Sequence, residues 1–118
     1  MFQNPENCTK VDDDRYDSAN YYSDKIVAEN NTRADTLMRQ LRRFAVEHRE
    51  ESLNFDNDSQ RKFYIWFNYV TGCIRIETTV LYRDFGAIYF DNKETALAAI
   101  EAFHDELTWY FMKYKDSL

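Results

Sequence analysis

A chain of 118 residues with net charge −6, two Gly, one Pro and two Cys, yet nine Tyr, nine Phe and two Trp, reads as one domain with a modest aromatic core and few tight turns. That composition excludes a many-stranded sandwich and a disulfide framework, since Cys8 and Cys73 lie far apart. No apolar run approaches the roughly 18 residues of a membrane span, and Met1–Lys10 is too polar for a secretory signal. The expectation is a soluble cytoplasmic protein with free thiols, whose acidity opposes non-specific DNA binding because that depends on neutralising phosphates.

Residues 1–19 are polar, acidic and non-periodic, and read as a flexible arm with Asp12, Asp13, Asp14 and Asp17 as its densest acidic run. Residues 20–118 are expected to form the single α+β domain. From about 20 to 49, Val27, Ala34, Leu37, Leu41 and Phe44 recur every three or four residues, with Asn30 and His48 on the same stripe, which predicts a long helix. Asn30, Asn31 and Thr32 are poor helix formers and predict a break or fray in its first half. The stripe also fits a heptad seam, Asn30 setting the register. Ala34, Leu37, Leu41 and Phe44 are therefore candidates for homodimer pairing, the alternative being that they pack on the chain's own sheet. Arg33, Arg39, Arg42, Arg43 and Arg49 make this stretch basic within an acidic chain.

Glu50–Gln60 reads as an acidic loop anchored by Leu53 and Phe55. Three strands are expected at about 61–70, 73–81 and 85–90, with Thr71-Gly72 at the first turn. Phe63, Ile65 and Phe67 alternate against Tyr64 and Trp66, and Ile74, Ile76 and Thr78 against Arg75, Glu77 and Thr79. Asp91 as N-cap with Glu94 three residues on makes a capping box. It opens a helix over about 92–115, with Ala96, Ile100, Phe103, Leu107, Tyr110 and Tyr114 on one face. The expected fold is α+β: long N-terminal helix, three-stranded antiparallel β-meander, C-terminal helix.

No chemistry-bearing motif accompanies this pattern. His48 and His104, the two histidines, have no partner at metal-ligand spacing. A Cys73–His104 pair has no Gly-rich elbow to support a nucleophile. Glu50/Glu51 and Asp105/Glu106 read as solvated surface, and nothing resembles a phosphate-cradling loop. No catalytic, cofactor or metal residue is assigned, and a non-enzyme is expected. Arg39, Arg42, Arg43 and Arg49, with Tyr64, Trp66 and Tyr69 to stack bases, offer a nucleic-acid-binding reading that the net charge opposes. The carboxylates offer the converse. Asp12, Asp13, Asp14, Asp17, Glu50, Glu51, Asp56 and Asp58, beside the aromatic anchors Tyr64 and Trp66, are placed to imitate a phosphate backbone and occupy a basic groove on a partner.

The runs Arg61-Lys62-Phe63-Tyr64-Ile65, Asp84-Phe85-Gly86-Ala87-Ile88-Tyr89-Phe90 and Asn92-Lys93-Glu94-Thr95-Ala96-Leu97-Ala98-Ala99-Ile100 resemble a loose group of small proteins from tailed phages and prophages of Gram-positive bacteria. The resemblance covers under half of the chain and carries fold signatures without active-site residues. It implies a mobile-element origin and a stoichiometric mode of action in a bacterial host, the class to which anti-CRISPR inhibitors belong. The implied partner is a host nucleic-acid enzyme such as a CRISPR effector nuclease.

Overall fold

The computed structural model describes residues 23–114. Asp12, Asp13, Asp14 and Asp17, with the rest of the expected arm, lie outside the described residues. Helix α1, Asp24–Glu47, opens at Ser23, whose hydroxyl accepts from the Ile26 amide at 3.4 Å. It runs without the break expected near Asn30. The Thr32 and Thr36 hydroxyls bond back to the carbonyls four residues earlier, and the Asn31 side chain accepts from the Tyr114 hydroxyl at 2.8 Å. Tertiary anchoring of this kind overrides weak local propensity.

Strands β1 (Lys62–Asn68) and β2 (Cys73–Thr79) pair antiparallel, with Ile65 opposite Ile76 and Phe67 opposite Ile74 on the core face. Tyr64 opposite Glu77 and Trp66 opposite Arg75 occupy the other face, as the alternation predicts. Asn68 shapes the connection by accepting from the Val70 and Thr71 amides, and Gly72 closes it at φ 73°, a conformation side chains resist.

The sheet has two strands, not three. Residues 85–90 touch β1 through a single bridge, Phe63 with Phe90, whose amides and carbonyls exchange bonds of 2.9 and 2.7 Å. Before that bridge the chain turns away. Ala87 N–H donates to the Asp84 carbonyl, Gly86 sits at φ 82°, and the Tyr89 hydroxyl accepts from the Asp84 amide at 2.8 Å. A left-handed residue and a closed turn are incompatible with an extended ladder. Because Phe63 faces Phe90, strand alternation turns the Ile65 and Phe67 backbone groups toward the same edge, which carries no further strand among the described residues.

The expected C-terminal helix is two helices, α2 (Lys93–Ala102) and α3 (His104–Met112). Phe103 leaves helical geometry at φ −116°, ψ 28°, and its ring meets Phe44 of α1 edge-on at 5.9 Å. Ring docking, with no Pro or Gly nearby, accompanies the break. The N-cap of α2 is Asn92, whose side chain accepts from the Thr95 amide at 2.7 Å. The expected cap, Asp91, is drawn elsewhere: its carboxylate accepts from the Glu50 and Glu51 amides.

All three helices contribute to one core. Leu37, Leu41 and Ala45 of α1 meet Ala96, Ala99 and Ile100 of α2, Leu107 and Met112 of α3, and Phe67, Ile74 and Phe90. Cys73 is buried and disulfide-bonded, and no cysteine is free among the described residues. The expectation of free thiols rested on sequence separation, but distance in the folded chain is what limits a cross-link. Among the described residues no helix is long and apolar enough to cross a membrane.

Candidate functional site

The two loops on either side of the hairpin, 49–61 and 80–92, meet at the end of the sheet opposite the Gly72 turn, and buried Lys62 joins them. Its ammonium donates to the Asn57 carbonyl at 3.0 Å and the Val80 carbonyl at 2.5 Å, and lies 4.9 Å from the Phe55 ring centre. The remaining order in the acidic loop comes from its own polar side chains. Asn54 and Asn57 accept from the Asp56 and Ser59 amides, and Gln60 bonds both the Asn54 amide and the Ser52 carbonyl. Short polar side chains that bond the backbone two residues on are what fix such turns.

On this frame Glu50, Glu51, Asp56 and Asp58 are exposed. The Glu50 and Glu51 backbone is pinned by Asp91 at 2.8 and 3.2 Å. Next to the acidic loop stand apolar side chains that the sequence reading assigned to a strand or its connection. Leu81 is half exposed, Tyr82 is 82% exposed and Phe85 is fully exposed. Gly86 has nothing within 4 Å of where a Cβ would be, so the turn that presents Phe85 is itself open to solvent.

The aromatic anchors expected from sequence separate. Tyr64 is half buried, its ring packed against Tyr89 at 5.6 Å, while Tyr89 in turn meets Phe55 at 5.2 Å. Burial first, then the charges of Glu77, Asp84 and Tyr89, hold the Tyr64 phenol above its ordinary pKa. Trp66 remains 40% exposed, toward the hairpin turn with Tyr69 and Val70. The outer sheet face is thus covered at one end by the two loops, while toward the hairpin turn Trp66 is part exposed and Cys73, on the same face, is buried.

The residues expected to pair two copies turn inward. Ala34, Leu37 and Leu41 are buried in this chain's own core, and Phe44 packs between Phe103 and His48, stacked on the latter at 4.0 Å. A face used internally is not available to a second copy.

Two hollows flank the 84–89 loop. The first, about 210 Å³, is apolar and runs between Met38 and Leu41 of α1, Ile65 of β1, Ile88, and Tyr110 and Phe111 of α3. The second, about 260 Å³, lies one turn further along α1 and carries Arg42, Arg49 and Arg83 in its wall. Among the described residues no cluster of three His, Cys, Asp or Glu side chains could hold a metal ion.

Phe85 was missed as a site residue because it reads as the first residue of a strand, and Tyr82 and Arg83 because they read as a connection between strands. The available signal was Gly86 one residue into the expected strand, a residue that weakens a strand and often marks a bend. No protein-family model matches this sequence, and no curated protein or solved structure matches it either.

Proposed function

We propose that this chain is a non-enzymatic binding protein of phage or mobile-element type that blocks a host nucleic-acid enzyme, most concretely a CRISPR effector nuclease in a bacterial cell. The observation that carries this reading is the exposed set Leu81, Tyr82 and Phe85 beside the acidic loop of Asp56 and Asp58. Large aromatic side chains held in solvent on a monomer favour a protein partner, since such residues supply most interface energy once desolvated. The surrounding carboxylates and the net charge of −6 favour a partner with a basic surface, because complementary charge speeds encounter and selects among partners. A basic groove that holds nucleic acid has that character. The chain would act by filling the groove, with Tyr82 and Phe85 as anchors and Glu50, Glu51, Asp56 and Asp58 as counter-charges.

The test is affinity capture on immobilised protein from nuclease-treated bacterial lysate expressing CRISPR effectors, followed by competition with guide RNA or target DNA. Stoichiometric recovery of an effector, lost on competition and reduced at least tenfold by the double substitution Tyr82→Ala/Phe85→Ala, is the expected result. An effector that binds the wild type and the double variant equally would remove the aromatic loop from the mechanism. No effector recovered at all would end the inhibitor reading.

A further inference from the structure

The second hollow, between α1 and the two loops, gathers positive charge in an acidic chain. Arg42 stands on α1 with Val46 one turn further along, and Arg49 follows just past the helix end at His48, so the helix and the start of the next loop bring both residues to one wall. Arg83 arrives from the opposite loop, its guanidinium 5.3 Å from the Phe55 ring centre, and Lys62 lies 4.9 Å from that same ring. No carboxylate lines the hollow, and among the described residues none of the three arginines forms an ion pair. The neighbouring carboxylate Asp91 is committed to the Glu50, Glu51 and Asn92 N–H groups.

Cations gathered without a counter-charge repel one another, and an arriving anion relieves that repulsion. The planar guanidinium fork matches the spacing of phosphoryl oxygens, which an ammonium cannot do. Tyr89 also lines the wall. Its hydroxyl accepts from the Asp84 amide at 2.8 Å, and that bond does not use its own proton. The remaining wall, Val46 and Phe55, is apolar. A volume of about 260 Å³ lies just below the range of roughly 300–1,000 Å³ that holds drug-sized ligands, which suits one phosphoryl group with a small organic group.

We propose that this hollow binds a small phosphate or phosphate monoester, its oxygens held by Arg42, Arg49 and Arg83 and any organic group set against Val46 and Phe55. The hollow borders the partner surface, since Arg83 sits between Tyr82 and Phe85, but binding there needs no partner, so it is tested on the purified full chain alone. An isotope-labelled sample is titrated at low salt, in separate arms, with inorganic phosphate, ribose 5-phosphate and adenosine monophosphate, following the Val46 and Phe55 amide resonances. Saturable shifts in at least one arm are expected, and the tightest arm identifies the source of the phosphoryl group. Arg49→Gln and Arg83→Gln should each weaken binding by roughly tenfold or more while resonances elsewhere stay in place. No saturable response in any arm would overturn the proposal. So would undiminished affinity in the triple variant Arg42→Gln/Arg49→Gln/Arg83→Gln, or a response confined to a single-stranded oligonucleotide.

Discussion

Around Phe67 aromatic rings meet one another, whereas around Phe85 they meet water. Phe67 stacks on Phe111 at 4.8 Å and nearly parallel, and Tyr110 and Tyr114 stack at 5.2 Å beside it. At the loop end the inner rings Phe55, Tyr64 and Tyr89 pack edge to edge, and the outer ones, Tyr82 and Phe85, have no ring partner among the described residues. The helical side is held by apolar burial on three helices, the loop end by hydrogen bonds to Lys62, Gln60, Asn54 and Asp91. Burial is strong and indifferent to direction, while a hydrogen-bonded loop can leave its side chains outward. The difference separates the part that makes the chain fold from the part free to bind.

Perturbing each region should reveal that division. The largest effect is expected at Leu37, 1% exposed at the centre of the core. Leu37→Ala should cost about 3 kcal/mol, within the usual 2–5 for a buried leucine, read from chemical unfolding. The same experiment separates an internal stripe from a dimer seam, because a seam residue would lose stability only in a concentration-dependent way. Next is Asp91→Ala, which strips acceptors from the Glu50 and Glu51 amides. It should cost about 1–3 kcal/mol and speed hydrogen exchange at those two amides while leaving α3 protected. Uniform loss of protection would mean that the loop end is not separable from the core.

A smaller effect is expected on the helical side, at a polar staple. Arg33 of α1 grips Glu106 of α3 through two bonds of 2.9 and 2.6 Å, with its guanidinium 4.0 Å from the Trp109 ring centre. The hydrogen bond to Arg33, opposed by burial and helped by its charge, holds the Glu106 carboxyl below its ordinary pKa. A depressed carboxyl stabilises the fold above its unfolded pKa of about 4.3 and loses that contribution as the pH falls through the lower folded value. Both side chains are more than a third exposed, so Glu106→Gln should cost about 1 kcal/mol or less at neutral pH. Its melting temperature should converge on that of the wild type below about pH 4. A gap that persists in acid would assign the effect to packing on Trp109. Smallest of all is Phe85→Ala, which should shift stability by no more than about 0.5 kcal/mol, since a fully exposed ring supports nothing in the fold.

The sequence pattern made the helical side legible and left the loop end largely unread. The stripe Ala34, Leu37, Leu41 repeats for long enough to identify α1, and the alternation from Phe63 to Phe67 places each side chain on its observed face. Both follow from local period. The two-helix break at Phe103 has no Gly or Pro to announce it and depends on a ring contact with Phe44, distant in sequence. Asp91 and Asn92 are adjacent and chemically equivalent as caps, so only the arrival of the Glu50 amide decides between them. Residues 85–90 form an apolar, aromatic run of strand length, but the turn from Asp84 to Ala87 diverts them. The three-arginine hollow takes one member each from α1, the loop that follows it and the 80–92 loop, and no spacing along the sequence foretells the arrival of Arg83.

Among the described residues, that diverted segment pairs with the outer edge of β1 only at Phe63. The run Phe63-Tyr64-Ile65-Trp66-Phe67 beside it is rich in β-forming residues, without Pro, Gly or an internal charge, the composition of segments that stack into fibrils. Natural edge strands are commonly guarded by an inward lysine or a proline. Here Lys62 is spent on carbonyls at the strand's start, so mutual repulsion between molecules carrying −6 becomes the guard. Colloidal stability of this protein is therefore tied to ionic strength and pH: salt that screens the repulsion, or acid that removes it, exposes a template on which copies can assemble strand to strand.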